Sequence, residues 1–322
     1  MLLTDYFYST HDATWDFAVQ SGVRHGTIRL PEDPDFDITQ RSHWETVYRR
    51  FTDFGIRPVV IEPMPNNLHD HIKEGDAQRD ASIEKVIRML ELMSSFDIRT
   101  VCFNFMAHIG WLRTHNRIPE RGGAFVTGFD EKSFVPPDDY EISEKQLWAN
   151  YTYFLRAVIP YAEKYGVRLA LHPDDPPLPK LGGVSRIMTS YKNIRHAVRD
   201  IVPSENLGVT MCQANFYIMG ENLYKVIPDL ADKIFFVHFR NTTGDVHCFR
   251  ETFHDNGDLD MPDLIALYRR CGINVPIRVD HVPTMAGEDQ KKAGYDSLGR
   301  LFAIGYLKGI LEAEGCCDRE GY

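Results

Sequence analysis

The stretch "RLALHPDDPP", residues 168–177, decides how the rest of the chain is read. Its first four residues form a short run of the kind that serves as a strand buried in a parallel sheet. The run ends on His172 and opens at once into two aspartates and a proline pair, which ends any ladder. A core strand that stops on a metal-binding side chain and a charged loop is expected where a parallel barrel meets its functional face.

The pattern repeats in both directions. Strand-like runs stand at 2–9, 25–30, 57–63, 99–105, 167–172, 207–212, 233–239 and 276–281, eight in all. Between them lie helical patterns, clearest at 81–96, 143–166 and 261–272, with Gly166 and Gly272 placed as helix stops. Eight alternations of strand and helix predict an α/β fold, a single (β/α)8 TIM barrel spanning residues 1–322 as one catalytic domain. The longest polar segments follow strand four (106–140) and strand five (173–186). Both are βα loops, which crowd the C-terminal face of a barrel, so 106–140 is read as a lid insertion.

On that face the strand ends carry ligand-type residues. His172, Cys212, His238 and Asp280 end strands five to eight, spaced 40, 26 and 42 residues apart, each gap compatible with one β/α unit. Any one of them has an ordinary reading as a bonded histidine, a buried thiol or a helix cap. Four at equivalent positions on consecutive strands point to a divalent-metal site instead. Thiolate softness favours Zn²⁺ or Fe²⁺.

Composition narrows the setting. Hydrophobic residues make up 43% and the net charge is −10, so the chain can fill a large core and offers no basic footprint for nucleic acid or an anionic membrane. No run approaches the roughly 18 apolar residues of a membrane span, and the opening "MLLTDYFYST" lacks the pattern of a signal peptide. A cytoplasmic protein is expected. The six cysteines, including the neighbours Cys316 and Cys317, form no CxxC pair and are read as reduced thiols. Self-association into a homo-oligomer is left open.

Several stretches carry a resemblance. "LALHPDDPP" (169–177), "VTMC" (209–212), "FVHFRN" (236–241), "FRETFHDNGDLDM" (249–261), "RVDH" (278–281), "AGYDSLGRLFAIGYLKGI" (293–310) and "VCFNFMAHIGWLRT" (101–114) resemble the mannonate dehydratase family, over most of the chain from about residue 57. The resemblance implies a xylose-isomerase-like barrel that converts D-mannonate to 2-keto-3-deoxy-D-gluconate in hexuronate catabolism. It implies the ligand set already reached, His172, Cys212, His238 and Asp280, with Mn²⁺ as the ion. It also implies His281 and Tyr295 as the proton-transfer pair, with base and acid unassigned.

That reaction removes a proton α to a carboxylate and expels the neighbouring hydroxyl, so it needs charge stabilisation and a proton donor. A metal or arginine beside Tyr295 is expected to lower its phenol pKa toward useful strength. Arg278, counted with the catalytic set, and Arg240 with Asn241 are candidates for holding the substrate carboxylate or hydroxyls, because a guanidinium binds a carboxylate bidentately. His254 is a candidate substrate contact from the loop after strand seven. Asp174 and Asp175 are read as supports of the ligand histidine, Trp111 and Trp148 as packing.

Two departures bear on the substrate. Val282 and Pro283 stand where the family has glycine, and "TDYFYSTHD" (4–12) replaces its opening Arg-Trp-Tyr-like run. A dehydratase of a different sugar acid is therefore one alternative, and a metal-dependent sugar isomerase or epimerase another. Cys212 argues against the isomerase, since those barrels rely on carboxylates and histidines. A barrel endonuclease would need a basic face, and a metal-binding regulator would have no use for Tyr295.

Overall fold

The computed structural model describes residues 1–289 and 292–316, so Cys317 lies outside the described residues. Eight parallel strands close on themselves: β1 (Leu2–Phe7), β2 (His25–Ile28), β3 (Arg57–Ile61), β4 (Thr100–Phe103), β5 (Arg168–Leu171), β6 (Leu207–Cys212), β7 (Ile234–Phe239) and β8 (Pro276–Val279). They pair in sequence order and β8 returns to β1, the closed (β/α)8 arrangement read from the sequence. Each predicted run holds its strand, with ends trimmed by up to two residues.

Helices wrap the barrel for local reasons. In Glu144–Tyr165 the Ser143 hydroxyl accepts the Gln146 N–H at one end, and Gly166, at φ 63°, takes the left-handed turn that closes the other. The predicted helix at 81–96 runs from Arg79 to Ser95, and that at 261–272 is Met261–Arg270, capped by Asp260.

Side-chain alternation sets what lies beneath the functional face. His238 stands two residues beyond Phe236, whose ring meets the imidazole edge-on at 4.9 Å, and Cys212 stands two beyond Thr210. Phe236 belongs to the small cluster with Val60, Cys102 and Ala170, and Thr210 Oγ1 donates to the Ala170 carbonyl. The strand interior therefore forms a floor that pushes the next inward-facing residue, His238 or Cys212, up to the rim. Register aligns them across strands: Cys212 pairs with His238, and His238 with Arg278.

The insertion after β4 is ordered. His115–Pro119 and Phe125–Asp130 pair antiparallel, and the second of these pairs with Cys248–Glu251, which pairs with Thr242–Gly244 from the connection after β7. Phe125 also bridges to Thr284 after β8. The segment read as one lid is thus half of a four-stranded sheet shared by two βα connections. The connection after β5 carries only a two-residue hairpin, Lys180–Leu181 with Val184–Ser185.

Candidate active site

A cleft of about 1460 Å³, open mouth included, lies at the C-terminal ends of the strands and is lined by His172, His238, Arg278, Asp280, His281 and Tyr295 among others. His172 follows β5 directly. Its Nδ1 donates to its neighbour's carbonyl, Pro173 O, at 2.6 Å, which assigns the lone pair to Nε2, 3.2 Å from His238 Nδ1. Asp280 Oδ2 lies 3.5 Å from the same His238 nitrogen. Donor atoms of His172, Cys212 and His238 all fall within 4.8 Å of one another.

These separations fit a shared ion, because donors bound at about 2.0–2.3 Å sit roughly 3–4 Å apart. The charges fit as well. Burial opposes ionisation of Cys212, but the Arg240 guanidinium first, and then the contacts with His172 and His238, outweigh it and bring the thiol down to about 5. Burial likewise opposes the carboxylates of Glu62, Asp175, Glu251 and Asp280, yet arginines and histidines hold all four below their usual range. With the thiolate, five buried anions face three guanidiniums, those of Arg113, Arg240 and Arg278. Against burial and the Arg278 charge, Glu62 and Asp280 hold His238 well above its usual value, a second sign that this spot favours positive charge.

Glu62, Cys102 and His238 also converge, but they offer a poor centre. Burial pushes the Cys102 thiol up to about 11, and Glu62 is committed to Arg278 through bonds of 2.7 and 2.9 Å.

His281 sits at φ 41°, a left-handed backbone uncommon outside glycine and asparagine, on the wall beside the ligands. Its Nδ1 lies 3.0 Å from Glu251 Oε1 and its Nε2 3.0 Å from the Tyr295 hydroxyl. Tyr295 Oη is also 3.4 Å from Asp280 Oδ1. An arginine alone does not bring the expected fall in the Tyr295 pKa: burial and the Asp280 charge raise it well above 10 and outweigh the Arg278 charge, which lowers it.

The arginines are placed differently from the sequence reading. Arg240 is fully buried behind the cleft, bonded to Glu251 at 2.8 and 2.5 Å, Asp175 at 2.9 Å and Asn215 at 2.9 Å, with the Cys212 sulfur at 3.5 Å. It supports the thiolate rather than a substrate carboxylate. Asn241 is spent on the His254 and Leu259 carbonyls, and His254 on the Phe239 carbonyl, with burial lowering the His254 pKa to about 4. Arg278 does reach the cleft, held by Glu62 and Asp280.

Asp175 joins Arg113 to Arg240, whereas Asp174 accepts the Ile187 and Met188 N–H groups and so pins the loop after β5; the ring of His172 is held by a carbonyl instead of either aspartate. Trp111 is not core packing: it is 41% exposed in the cleft, 5.1 Å from His281 and 6.2 Å from Tyr295. Trp148 packs against Tyr151 and His196 as expected.

Sequence reasoning missed Glu62, Arg113, Glu251 and Lys73. Glu62 follows β3 directly, so the strand-end rule used for β5 to β8 reaches it. Arg113 and Glu251 carry no such signal, because they meet through the accessory sheet.

Comparison with known proteins agrees with this picture. The family model for D-mannonate dehydratase (UxuA) matches residues 6–140 and 138–319. A mannonate dehydratase of Streptococcus agalactiae is 31% identical over 312 residues, covering 87% of this chain and 88% of the relative. One of Streptococcus equi subsp. zooepidemicus is 31% identical over 291 residues, covering 80% and 79%. The crystal structure of mannonate dehydratase from Streptococcus suis serotype 2 superposes with a TM-score of 0.88 at 27% identity, covering 98% of this chain and 93% of that one. A D-psicose 3-epimerase solved in the presence of D-fructose, at 12% identity and a TM-score of 0.63, shares the fold. By its matched length and its relatives, this chain belongs to the mannonate dehydratase family of hydro-lyases.

Proposed function

We propose that the chain dehydrates D-mannonate to 2-keto-3-deoxy-D-gluconate at a divalent metal held by His172, Cys212, His238 and Asp280. The observation that carries this reading is the pairing, at one cleft, of the clustered His172, Cys212 and His238 donors, with Asp280 beside His238, and the His281–Tyr295 contact of 3.0 Å. When bound, the metal would supply Lewis-acid stabilisation of charge developing on the substrate oxygens. Mn²⁺ is the ion proposed, ahead of Fe²⁺ and Zn²⁺.

The chain's own residues divide the proton work. Glu251 takes the Nδ1 proton of His281 in a hydrogen bond, which leaves Nε2 as the basic nitrogen facing the cleft. His281 is therefore the base proposed for the proton α to the carboxylate. Tyr295, kept a neutral phenol by burial and Asp280, is the donor proposed for the departing hydroxyl. Arg278 fixes Asp280 through a bond of 2.8 Å and keeps the carboxylate in place. Trp111, carried by the connection after β4, stands over the cleft beside His281, and that connection is given a lid role that keeps bulk water from a carbanion-like species. The free thiols at Cys212 and Cys102 suit a reducing compartment and support the reading of a cytoplasmic place in hexuronate catabolism.

The test is metal-free protein given Mn²⁺, Fe²⁺ or Zn²⁺ separately and assayed for 2-keto-3-deoxy acid from D-mannonate and other hexonates. Product from D-mannonate with Mn²⁺ is expected. No product from any hexonate overturns the reading, and restoration by Zn²⁺ alone overturns the choice of ion.

A further inference from the structure

A sugar acid has two ends, and the metal wall accounts for one. Dehydration occurs between the carbons next to the carboxylate, so the metal ligands and the His281–Tyr295 pair must face that end. The four donors stand at the ends of β5 to β8, and the pair follows β8. In a closed ring of eight strands, β3 stands opposite β7 and β4 opposite β8. The wall beyond β3 and β4 is where the rest of the substrate chain arrives.

That wall is polar, and one charge on it is unusual. Asn66, Asp70 and Lys73, spaced four and three apart, share one face of helix Asn66–Glu74 and line the cleft, with Asn104 beside them after β4. The Lys73 side chain is only 2% exposed. Among the described residues its ammonium has one hydrogen bond, to Asp70 Oδ1 at 3.0 Å, while Asp70 is 48% exposed. A desolvated ammonium with three donors and a single acceptor is costly unless further oxygen atoms reach it. Burial, which lowers the Lys73 pKa, shows that cost in the protein. The other cations on the cleft are engaged: Arg278 by Glu62 and Asp280, Arg29 by Glu32 at the mouth.

We propose that Lys73, paired with Asp70 on the wall opposite the metal ligands, binds the distal hydroxyl groups of an acyclic six-carbon sugar acid and sets the chain length the enzyme prefers. The ammonium donates to a hydroxyl oxygen and Asp70 accepts a hydroxyl proton, so the pair reads both halves of a hydroxyl group. Among the described residues Lys73 makes no hydrogen bond to the four donors or to the His281–Tyr295 pair, so its contribution is uniform binding: it lowers KM and leaves kcat alone.

This rests on the dehydratase reading, and the test separates the two. KM and kcat for D-mannonate are measured in wild type and Lys73→Met, together with the competitive inhibition constant of a four-carbon aldonate that lacks the distal hydroxyls. KM is expected to rise about 10- to 100-fold in Lys73→Met, the scale of losing a charged hydrogen bond, with kcat within about threefold and bound metal unchanged. The four-carbon acid, which never reached Lys73, should inhibit both proteins alike. Asp70→Asn, which keeps the volume and the lysine, is the second variant and should raise KM in the same direction if Lys73→Met fails to fold. An unchanged KM in the folded variants, or equal weakening for both acids, overturns the proposal. A wild-type protein inactive on every hexonate overturns the dehydratase reading instead.

Discussion

Arg240 Nη1 lies 3.5 Å from the sulfur of Cys212, and the same guanidinium is clamped by Glu251 and Asp175. A cation held this firmly behind a buried thiol keeps the sulfur ionised whether or not a metal is present.

The thiol stands at about 5 in the folded protein against an ordinary 9.0. Folding therefore favours the anion, and the sign follows. The stability this gives is complete above about pH 9, shrinks as pH falls, and is gone below about pH 5. Metal-free wild type compared with Cys212→Ser by denaturant titration should show a gap that widens with pH across this window, on the order of a few kcal/mol in total. A gap independent of pH would show that Arg240 does not hold a thiolate.

Tyr295→Phe removes one hydroxyl and none of the four donors. Metal content and thermal midpoint should match wild type, while dehydration slows by roughly 10²-fold or more, the scale of a lost proton-transfer group. Wild-type turnover by this variant would leave His281 to perform both proton transfers.

Asn241 and His254 should behave as framework. The Asn241 amide donates to the His254 and Leu259 carbonyls at 3.0 and 3.1 Å, and its oxygen accepts from Thr242 and Leu259. Asn241→Ala is expected to cost about 1–3 kcal/mol of stability by orphaning buried groups, with KM for the sugar acid unchanged in the protein that remains folded. A raised KM at unchanged stability would return Asn241 to the substrate.

Gly128 lets two strands of the accessory sheet meet. A Cβ there would stand 2.5 Å from Ile118 Cδ1 and 2.7 Å from the Phe249 carbonyl oxygen, so any side chain must push the strand Cys248–Glu251 aside. Gly128→Val should drop turnover by about 10²-fold, the scale of a roughly 1 Å misplacement, through Glu251 and His281. Far-ultraviolet circular dichroism and metal content should remain those of the barrel. Full activity in this variant would detach the sheet from the chemistry.

The barrel was legible because its signals are local. Each β/α unit announces itself by an apolar run, a polar loop and a helical period, and closure brings His172, Cys212, His238 and Asp280 to one rim without any sequential motif. The arginines were not legible. Whether Arg240 faces a substrate or a carboxylate depends on Glu251, eleven residues on and in another sheet, and no spacing rule reports that pairing. Trp111 read as packing since large aromatics usually pack, yet the insertion carries it out over His281. The direction of the Tyr295 shift was not legible either, because burial and the Asp280 charge outweigh the Arg278 charge and no spacing reports how deeply a phenol lies.

The sheet shared by the connections after β4 and β7 also dictates an order of assembly. Phe125–Asp130 leaves the ribosome long before Cys248–Glu251, its neighbour in the sheet. Until that second segment is synthesised, Arg113 has no Glu251 to grip, and His281, thirty residues further on, arrives after its carboxylate partner. Pairings this distant along the chain form late because their loop-closure entropy must be met first. The wall of the cleft is therefore completed only when the connection after β7 has joined the sheet begun after β4.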